Sequence, residues 1–491
     1  MGKIDSKRRE IIYYVFAGII LLLGCFLRAK LYFANDVFED DELRLIIASA
    51  NKSLIQMFMP LGDAQTAPPL FMIASKIIAS IFGFSEHILK LIPFLAGIGS
   101  IYMFFIFANK YLKKKLSVLF VIYAFSVSEV MTYFATTFKQ YSTDVFIGLL
   151  CLYFLPNIDI TKLSVKKLLW LILIFSFLPL MSLPSVFFIV SFFIINLIIN
   201  FKNPEFYKRV FYFVIPMLAV MLPYYFFNLI PSKIDLNQTF IGYWDKGYMD
   251  FSVSDFFRLT AENFKYYFYP NIFILFEMLL FLWGAFLCIK EKSKTSLYIV
   301  FIIMLGYIFA ILHIYTFYIR IALFSVPLFL ILIIKPFDSY SFKNWQIYIA
   351  IIMLCFGFCK YGLSHIKNVA DENTHITWSP KILMQILKEK FNPETDTILH
   401  NNASSTSYIY YSSLYGLNTE KAYIMADSRL PEKEFIKYLD DLPKNNYIWF
   451  YMIKDYKQCQ VFDYIEKWLS DKEILYSYKD KKSKLYYIHN K

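Results

Sequence analysis

The chain has 491 residues, of which 58% are hydrophobic, with a mean hydropathy of +0.48. That excludes a single soluble domain, because apolar runs of about 18 residues or more recur along most of the length, as in a polytopic helical membrane protein. The formal charge of +12 lies mostly on loop lysines and is read as a topology signal, which sets aside a nucleic-acid surface.

The N-terminus, MGKIDSKRRE, is basic and places the chain start in the cytoplasm, with a retained first span over 11–33. That span delivers FEDDELRL, with Glu39, Asp40, Asp41 and Glu42 in a row, to the outer face. Residues 41–58 carry Leu43, Ile46, Ile47, Leu54, Met57 and Phe58 at helical spacing and predict an amphipathic interfacial helix. Residues 69–82 predict a second interfacial or re-entrant helix. At about 14 residues it rises roughly 21 Å, short of the ~30 Å hydrocarbon core. Further spans are expected near 87–109, 116–135, 141–157, 166–181, 183–200, 208–229, 271–289, 296–313, 318–335 and 344–362, about eleven in all. With this layout the basic loops at Lys162/Lys166/Lys167, Lys202/Lys208/Arg209, Lys290/Lys292/Lys294 and Lys335/Lys343 fall in the cytoplasm. The acid cluster, the 231–270 loop and the tail fall outside.

The tail from 364 to 491 changes composition and predicts a small extracytoplasmic α/β domain, following a membrane domain over 1–363. Helical patterns lie near 379–391, 403–414, 431–441 and 459–470. Strand patterns are TDTILH, YIWFYMI, EILYSYK and KLYYIH. Cys25, Cys151, Cys288, Cys355 and Cys359 sit in apolar segments and Cys459 in the tail, without disulfide or zinc spacing.

Ionisable and polar groups at membrane depth are functional candidates by default. Asp41 and Glu42 open the first interfacial helix, where acids also serve as caps worth about 0.3–1 kcal/mol each. Gln65 precedes Pro68 and Pro69, which stiffen the entry to the second helix. FKQYSTD places Lys139, Tyr141 and Asp144 at an outer corner between two spans. The plainer reading is a snorkelling lysine and an interfacial tyrosine. HIYTFYIR ends on Arg320, an outer-face arginine that calls for a carboxylate or phosphate partner. Its plainer reading is an ordinary interfacial arginine. His313 reads as structural, and Glu129, inside a span, has no assigned place. Trp244 and Tyr243 in the 231–270 loop suit stacking on a sugar, or aromatic anchoring at the interface. Carboxylates with Lys139 and Arg320 at one leaflet suit a substrate with a lipid tail and a phosphate.

In order, these residues resemble the GT-C superfamily of integral-membrane glycosyltransferases, in particular its protein O-mannosyltransferase and aminoarabinose-transferase-like branch. The resemblance covers about 10–335. It consists of Asp41-Glu42 in the first outer loop, Pro68-Pro69-Leu70, the Gly83-x-Ser85-Glu86 turn, the KQYSTD corner and Arg320 opening a late span. It implies a GT-C fold of about eleven transmembrane helices with two interfacial helices. It implies Asp41 as general base with Glu42 its neighbour, Asp144 as a second aspartate, and Lys139 and Arg320 holding a polyprenyl phosphate. Relatives often carry Lys or His before the Pro-Pro pair. Here it is Ala67, which bears on the donor type, and the adjacent Asp40 is an alternative base.

The expected function is an inverting glycosyltransferase of the cytoplasmic (inner) membrane. It would move a sugar from a polyprenyl-phosphate donor to a glycan, lipid or protein acceptor at the outer face. Gln65, Tyr141 and Trp244 join Lys139 and Arg320 on the substrate side. No cofactor and no divalent metal are expected. The competing classes are a lipid-linked-sugar flippase or exporter, and a polysaccharide polymerase or ligase. A transporter calls for broken midplane helices and repeated halves, which the sequence does not display. A polymerase or ligase calls for an outer loop rich in Arg or His, which the 231–270 loop is not.

Overall fold

The computed structural model describes residues 2–491 except 240–241, 243, 269–272, 341–361, 368, 370–379, 402–403, 418, 427–429, 454–460 and 481–482. The expected span at 344–362, Tyr243, Lys343, Cys355, Cys359 and Cys459 lie outside the described residues. By contacts the chain forms two compact units. One comprises 1–34 and 52–372, the other 35–51 and 373–491.

The first unit is helical. Its elements are α1 (Gly2–Ala34), α3 (Pro69–Phe82), α4 (Glu86–Tyr111), α5 (Lys115–Ser126), α6 (Glu129–Ala135), α7 (Tyr141–Phe154), α8 (Val165–Met181) and α9 (Ser185–Asn200). They continue with α10 (Pro204–Tyr224), α11 (Ile230–Thr239), α12 (Val253–Phe268), α13 (Ile274–Glu291), α14 (Lys294–Ile311) and α15 (Val326–Ser339). The helix α2 (Asp40–Ala50) belongs to the second unit. A broad apolar core that includes Phe104, Phe125, Val145, Phe188 and Leu330 joins the first unit's helices. Side chains such as Phe16, Leu22, Phe26, Leu169, Phe211 and Phe227 are exposed, as a lipid-facing surface requires.

The protein is a polytopic membrane protein. Among the described residues, five helices are long and apolar enough to cross a membrane, and the pair α5–α6 adds a sixth if it is one bent span. The expected spans over 141–157, 166–181 and 183–200 are helices of 14, 17 and 16 residues. Turns around Pro156 and Pro184 end or begin these helices, and hydropathy averaged along the sequence runs across such turns. The first interfacial helix also differs from expectation. It stops at Ala50, and a short 3₁₀ turn, Ile55–Phe58, follows. The restart is local: Gln56 Oε1 accepts from the Ser53 N–H at 2.8 Å, and Ser53 Oγ accepts from the Gln56 N–H at 3.3 Å. The second is found at its expected bounds, with Pro69 at its first position.

The expected span over 116–135 is broken. α5 and α6 meet at an angle of 54° across Val127-Ser128. A break in an apolar helix frees carbonyls that lipid cannot hydrate. Arg28, fully buried in α1, meets them: its Nη1 donates to Ser126 O at 2.9 Å and Gly24 O at 3.1 Å, and its Nη2 to Phe125 O at 3.4 Å. Cationic donors at a helix C-terminus also complement the dipole. Gly24, one turn before Arg28, allows the approach, since a Cβ there would lie 2.8 Å from the Ser126 Cβ. On the far side of the break, Ser128 Oγ accepts from the Met131 N–H at 3.4 Å, and Glu129 occupies the first turn of α6.

The second unit's tail carries a five-stranded sheet in the order β2-β1-β3-β5-β4. Its strands are β1 (Asp396–His400), β2 (Ala422–Ile424), β3 (Asn446–Ile453), β4 (Ile474–Lys479) and β5 (Ser483–Asn490). β1 runs parallel to β2 and β3, while β5 runs antiparallel to β3 and β4. Helices α16 (Pro380–Lys390), α17 (Ser405–Tyr415), α18 (Glu432–Asp440) and α19 (Val461–Leu469) fall within one or two residues of the expected patterns. Phe435, Leu439, Ile465 and Trp468 pack with Phe450 and Ile488 into the tail's core. Asp396, fully buried, accepts from Trp449 Nε1 at 2.9 Å and the Tyr487 hydroxyl at 3.1 Å.

Replacing Arg28 with alanine strands the carbonyl of Ser126 in an apolar setting, while Phe125 O keeps the Ser128 N–H at 3.4 Å. The expected cost is about 1–3 kcal/mol. It is read as a fall in the melting temperature of detergent-solubilised protein, which an Arg8→Ala change at the exposed start of α1 does not produce.

Candidate active site

In the second unit, the four acids divide by role. Glu39 is the N-cap of α2, and its side chain accepts from the N–H of Glu42. In return Glu42 Oε2 accepts from the Glu39 N–H at 2.9 Å, which closes a capping box. Asp40 pairs with Arg44 at 2.8 Å, one turn along. Asp41 stands in the same first turn, half-buried. Glu42 is 1% exposed and fixes the helix start.

In the first unit, the corner between α6 and α7 gathers the other candidates. Lys139 is buried, and its Nζ donates to Gln65 Oε1 at 2.8 Å, with Gln65 buried as well. The two stretches are 74 residues apart. A tight turn presents Gln65: its N–H donates to Gly62 O at 3.0 Å, Asp63 and Ala64 have φ of 52° and 53°, and Asp235 Oδ2 accepts from the Ala64 N–H at 2.9 Å. The same junction is closed by Phe71 on Phe138, rings stacked 5.7 Å apart. Tyr141 is buried edge-on against Phe134 at 4.9 Å. Asp144 is buried in the first turn of α7, with Ser182 and Tyr315 among its polar neighbours.

Arg320 sits in the turn Ile319–Ser325, against which α7 packs. Corner and turn are thus neighbours through one helix. Arg320 is half-buried, with its guanidinium carbon 5.6 Å from the centroid of the buried Trp244 ring. Trp244 therefore faces an arginine in this structure. A close approach holds its turn in place: a Cβ on Gly247 would lie 2.0 Å from Thr316 Cγ2. The backbone before Arg320 is strained, with Ile319 at φ 38°, a conformation costly for a branched side chain. Two buried residues of α12 hold it. Asn263 Oδ1 accepts from the Ile319 N–H at 2.6 Å while its Nδ2 donates to Phe317 O at 3.1 Å, and the Tyr267 hydroxyl donates to Ile319 O at 3.1 Å.

The structure thus brings Lys139 to Gln65 and Arg320 to Trp244, and sets Asp144 on the helix between them. Asp41 and Glu42 belong to the other unit. Sequence reasoning missed Asn263 and Tyr267, which carry no signal beyond a polar residue on an amphipathic helix. It also missed Arg28, which the rule on ionisable residues inside spans does flag. Among the described residues, no three of His, Cys, Asp and Glu gather where they could hold a metal ion.

Two solved structures share this architecture. ArnT from Cupriavidus metallidurans in the apo state aligns over 98% of this chain and 98% of its own, with a TM-score of 0.50 and 11% identity. ArnT from the same organism bound to undecaprenyl phosphate aligns over 96% of this chain and 98% of its own, with a TM-score of 0.51 and 12% identity. The chain has the GT-C fold. No family model and no curated protein matches the sequence. At these identities the likeness speaks to fold, and function has to be argued from the residues.

Asn263→Ala would leave the Ile319 N–H and the Phe317 carbonyl without their buried partner. The expected loss is about 2 kcal/mol of stability, seen as a lowered melting temperature.

Proposed function

We propose that this chain is an inverting glycosyltransferase that uses a polyprenyl-phosphate-linked sugar at the outer face of a cytoplasmic membrane. The observation that carries the reading is the polar corner of the first unit. A buried ammonium, Lys139, is held by Gln65, and a half-buried guanidinium, Arg320, stands on the turn packed against α7. The corner lies in a chain whose fold is that of a protein solved with undecaprenyl phosphate.

In this reading Asp41 takes the proton from the acceptor's hydroxyl or amine. The acceptor oxygen or nitrogen bonds to C1 of the sugar as the bond from C1 to the phosphate oxygen breaks. The electron pair leaves with the polyprenyl phosphate, and attack from the opposite face inverts C1. Lys139 and Arg320 stabilise the charge gathering on that phosphate. Asp144 is the second carboxylate of the corner, and Tyr141 lines it. Gln65 orients the ammonium and Trp244 the guanidinium. Glu42 serves Asp41 by fixing the turn that carries it. The acceptor is a glycan, a lipid or a protein, and no nucleotide takes part.

One observation favours the flippase reading. The bent α5–α6 pair is the kind of discontinuous helix that transporters use, and the sequence did not reveal it. A flippase moves its lipid without cleaving it. The test is mass spectrometry of free polyprenyl phosphate, released by the purified protein from a mixture of polyprenyl-phosphate sugars in the presence of an acceptor extract. Release by wild type, reduced about 10²–10⁴-fold in a folded Asp41→Asn variant, is the expected result. Lys139→Met and Arg320→Ala should each raise the KM for the lipid donor. Intact donor in every reaction would favour the flippase.

The same assay tests the absence of a metal. Incubation with EDTA should leave release unchanged, and abolition by EDTA with recovery on added Mg²⁺ or Mn²⁺ would assign Asp41 and Glu42 to a metal instead.

A further inference from the structure

The loop that carries Asp41 is not built like a loop. Residues 35–51 group with the tail across more than 320 residues of sequence, and the contacts that join them converge just before the acid helix. Phe38 lies immediately before the N-cap and is fully buried. Its N–H donates to the hydroxyl of Tyr411, itself fully buried in α17, at 3.0 Å. Its ring meets Tyr410 edge-on at 5.8 Å. Two residues earlier, Asp36 pairs with Lys381 of α16 at 3.5 Å. α2 itself packs along α17. Leu43, Leu45 and Ile46 are buried, and Phe38 and Leu43 stand at the two staple positions that set how a chain enters a helix.

These contacts fix the position of a turn, not merely its existence. The capping box sets Asp40 as the first residue of α2. The tail then decides where that beginning lies, because Tyr411 holds the backbone two peptide units before Asp40. We propose that the C-terminal domain positions the general base, with Tyr411 as the positioning residue acting on Asp41 through the Phe38 backbone. The proposal rests on the reading of Asp41 given above. A base must meet its proton within hydrogen-bond reach, so small displacements of its turn carry large kinetic costs.

The test uses the full chain and the release assay. Tyr411→Phe keeps the ring and removes only the hydroxyl. It should lower kcat by about ten- to a hundredfold and leave the KM for the lipid donor unchanged. Introduced into Asp41→Asn, the same change should cost nothing further, because there is no base left to misplace. Trp468→Phe breaks a different tail contact, the hydrogen bond to Asp440 at 2.8 Å, and should leave kcat unchanged. If Tyr411→Phe does not fold, Lys381→Met probes the same anchor from α16 and should show the same dependence on Asp41. An equal loss in the wild-type and Asp41→Asn backgrounds would overturn the proposal, as would wild-type kcat in a folded Tyr411→Phe. If Asp41→Asn itself turns over normally, the reading of the base fails first, and the positioning role falls with it.

Discussion

The first unit depends on how it tolerates a broken helix. Between Ser126 and Glu129 the chain turns by 54°, and the carbonyls at the end of α5 lose their helical partners where no water is available to replace them. Arg28 supplies the donors from another helix, and Gly24 lets that helix come close enough for it to do so. The consequence reaches the corner. With the break in place, α6 is a short segment ending at Ala135, and the chain can turn through Thr136–Gln140 before α7 begins. A continuous helix through this region would carry Lys139 onward along its own axis, away from the turn that holds Gln65.

The second constraint is the strained backbone before Arg320. A positive φ at an isoleucine persists only when its surroundings over-determine it. Here the amide of Asn263 grips the chain before Ile319, at its N–H and at the Phe317 carbonyl, and Tyr267 holds the Ile319 carbonyl. Both come from α12, so the arginine's position is set from behind, by groups distinct from those that face it. Lys139 is treated similarly: an ammonium has three donors, and Gln65 takes one from a turn whose own geometry is fixed at Asp63 and Ala64. Long cationic side chains lose much rotamer freedom when ordered. In the proposed phosphate-binding role, fixing them in the folded protein would remove that cost from the binding step.

What the sequence makes legible follows from the range of each interaction. The helix at Pro69–Phe82 and the tail helices are marked by local signals: a proline at a first turn, amphipathic spacing, a glycine after Tyr415. The break in the span over 116–135 is nearly silent. The run FVIYAFSVSEVMTYFA holds neither proline nor glycine, and its signs are Ser128 as a cap and Glu129 in a first turn. Arg28 stands near Lys30 at the end of the first span, where a basic residue normally reaches for the interface, and only the fold turns it inward onto the carbonyls of α5. Gln65, Lys139, Asp144 and Arg320 stand out in the sequence by chemistry, as polar groups where lipid is expected, and that argument needs no knowledge of the fold. The brace from Asn263 needs it entirely.

The membership of 35–51 in the second unit was beyond reach for a different reason. An amphipathic helix announces that one face will be covered, but not by what. A membrane interface and a folded domain offer the same apolar cover to Leu43 and Ile46. The acid cluster itself did hold information on this point. Glu39, Asp40 and Glu42 are all spent on starting and stiffening α2, through a capping box and an i,i+4 pair. In the proposed role of Asp41 so firmly specified a first turn has a use, because precision in a site comes from regular elements whose own supports are fixed. On the proposed reading of Asp41, the clustering of acids around it is the sequence trace of positioning: three carboxylates define the turn, and the Tyr411 hydroxyl holds the backbone that leads into it.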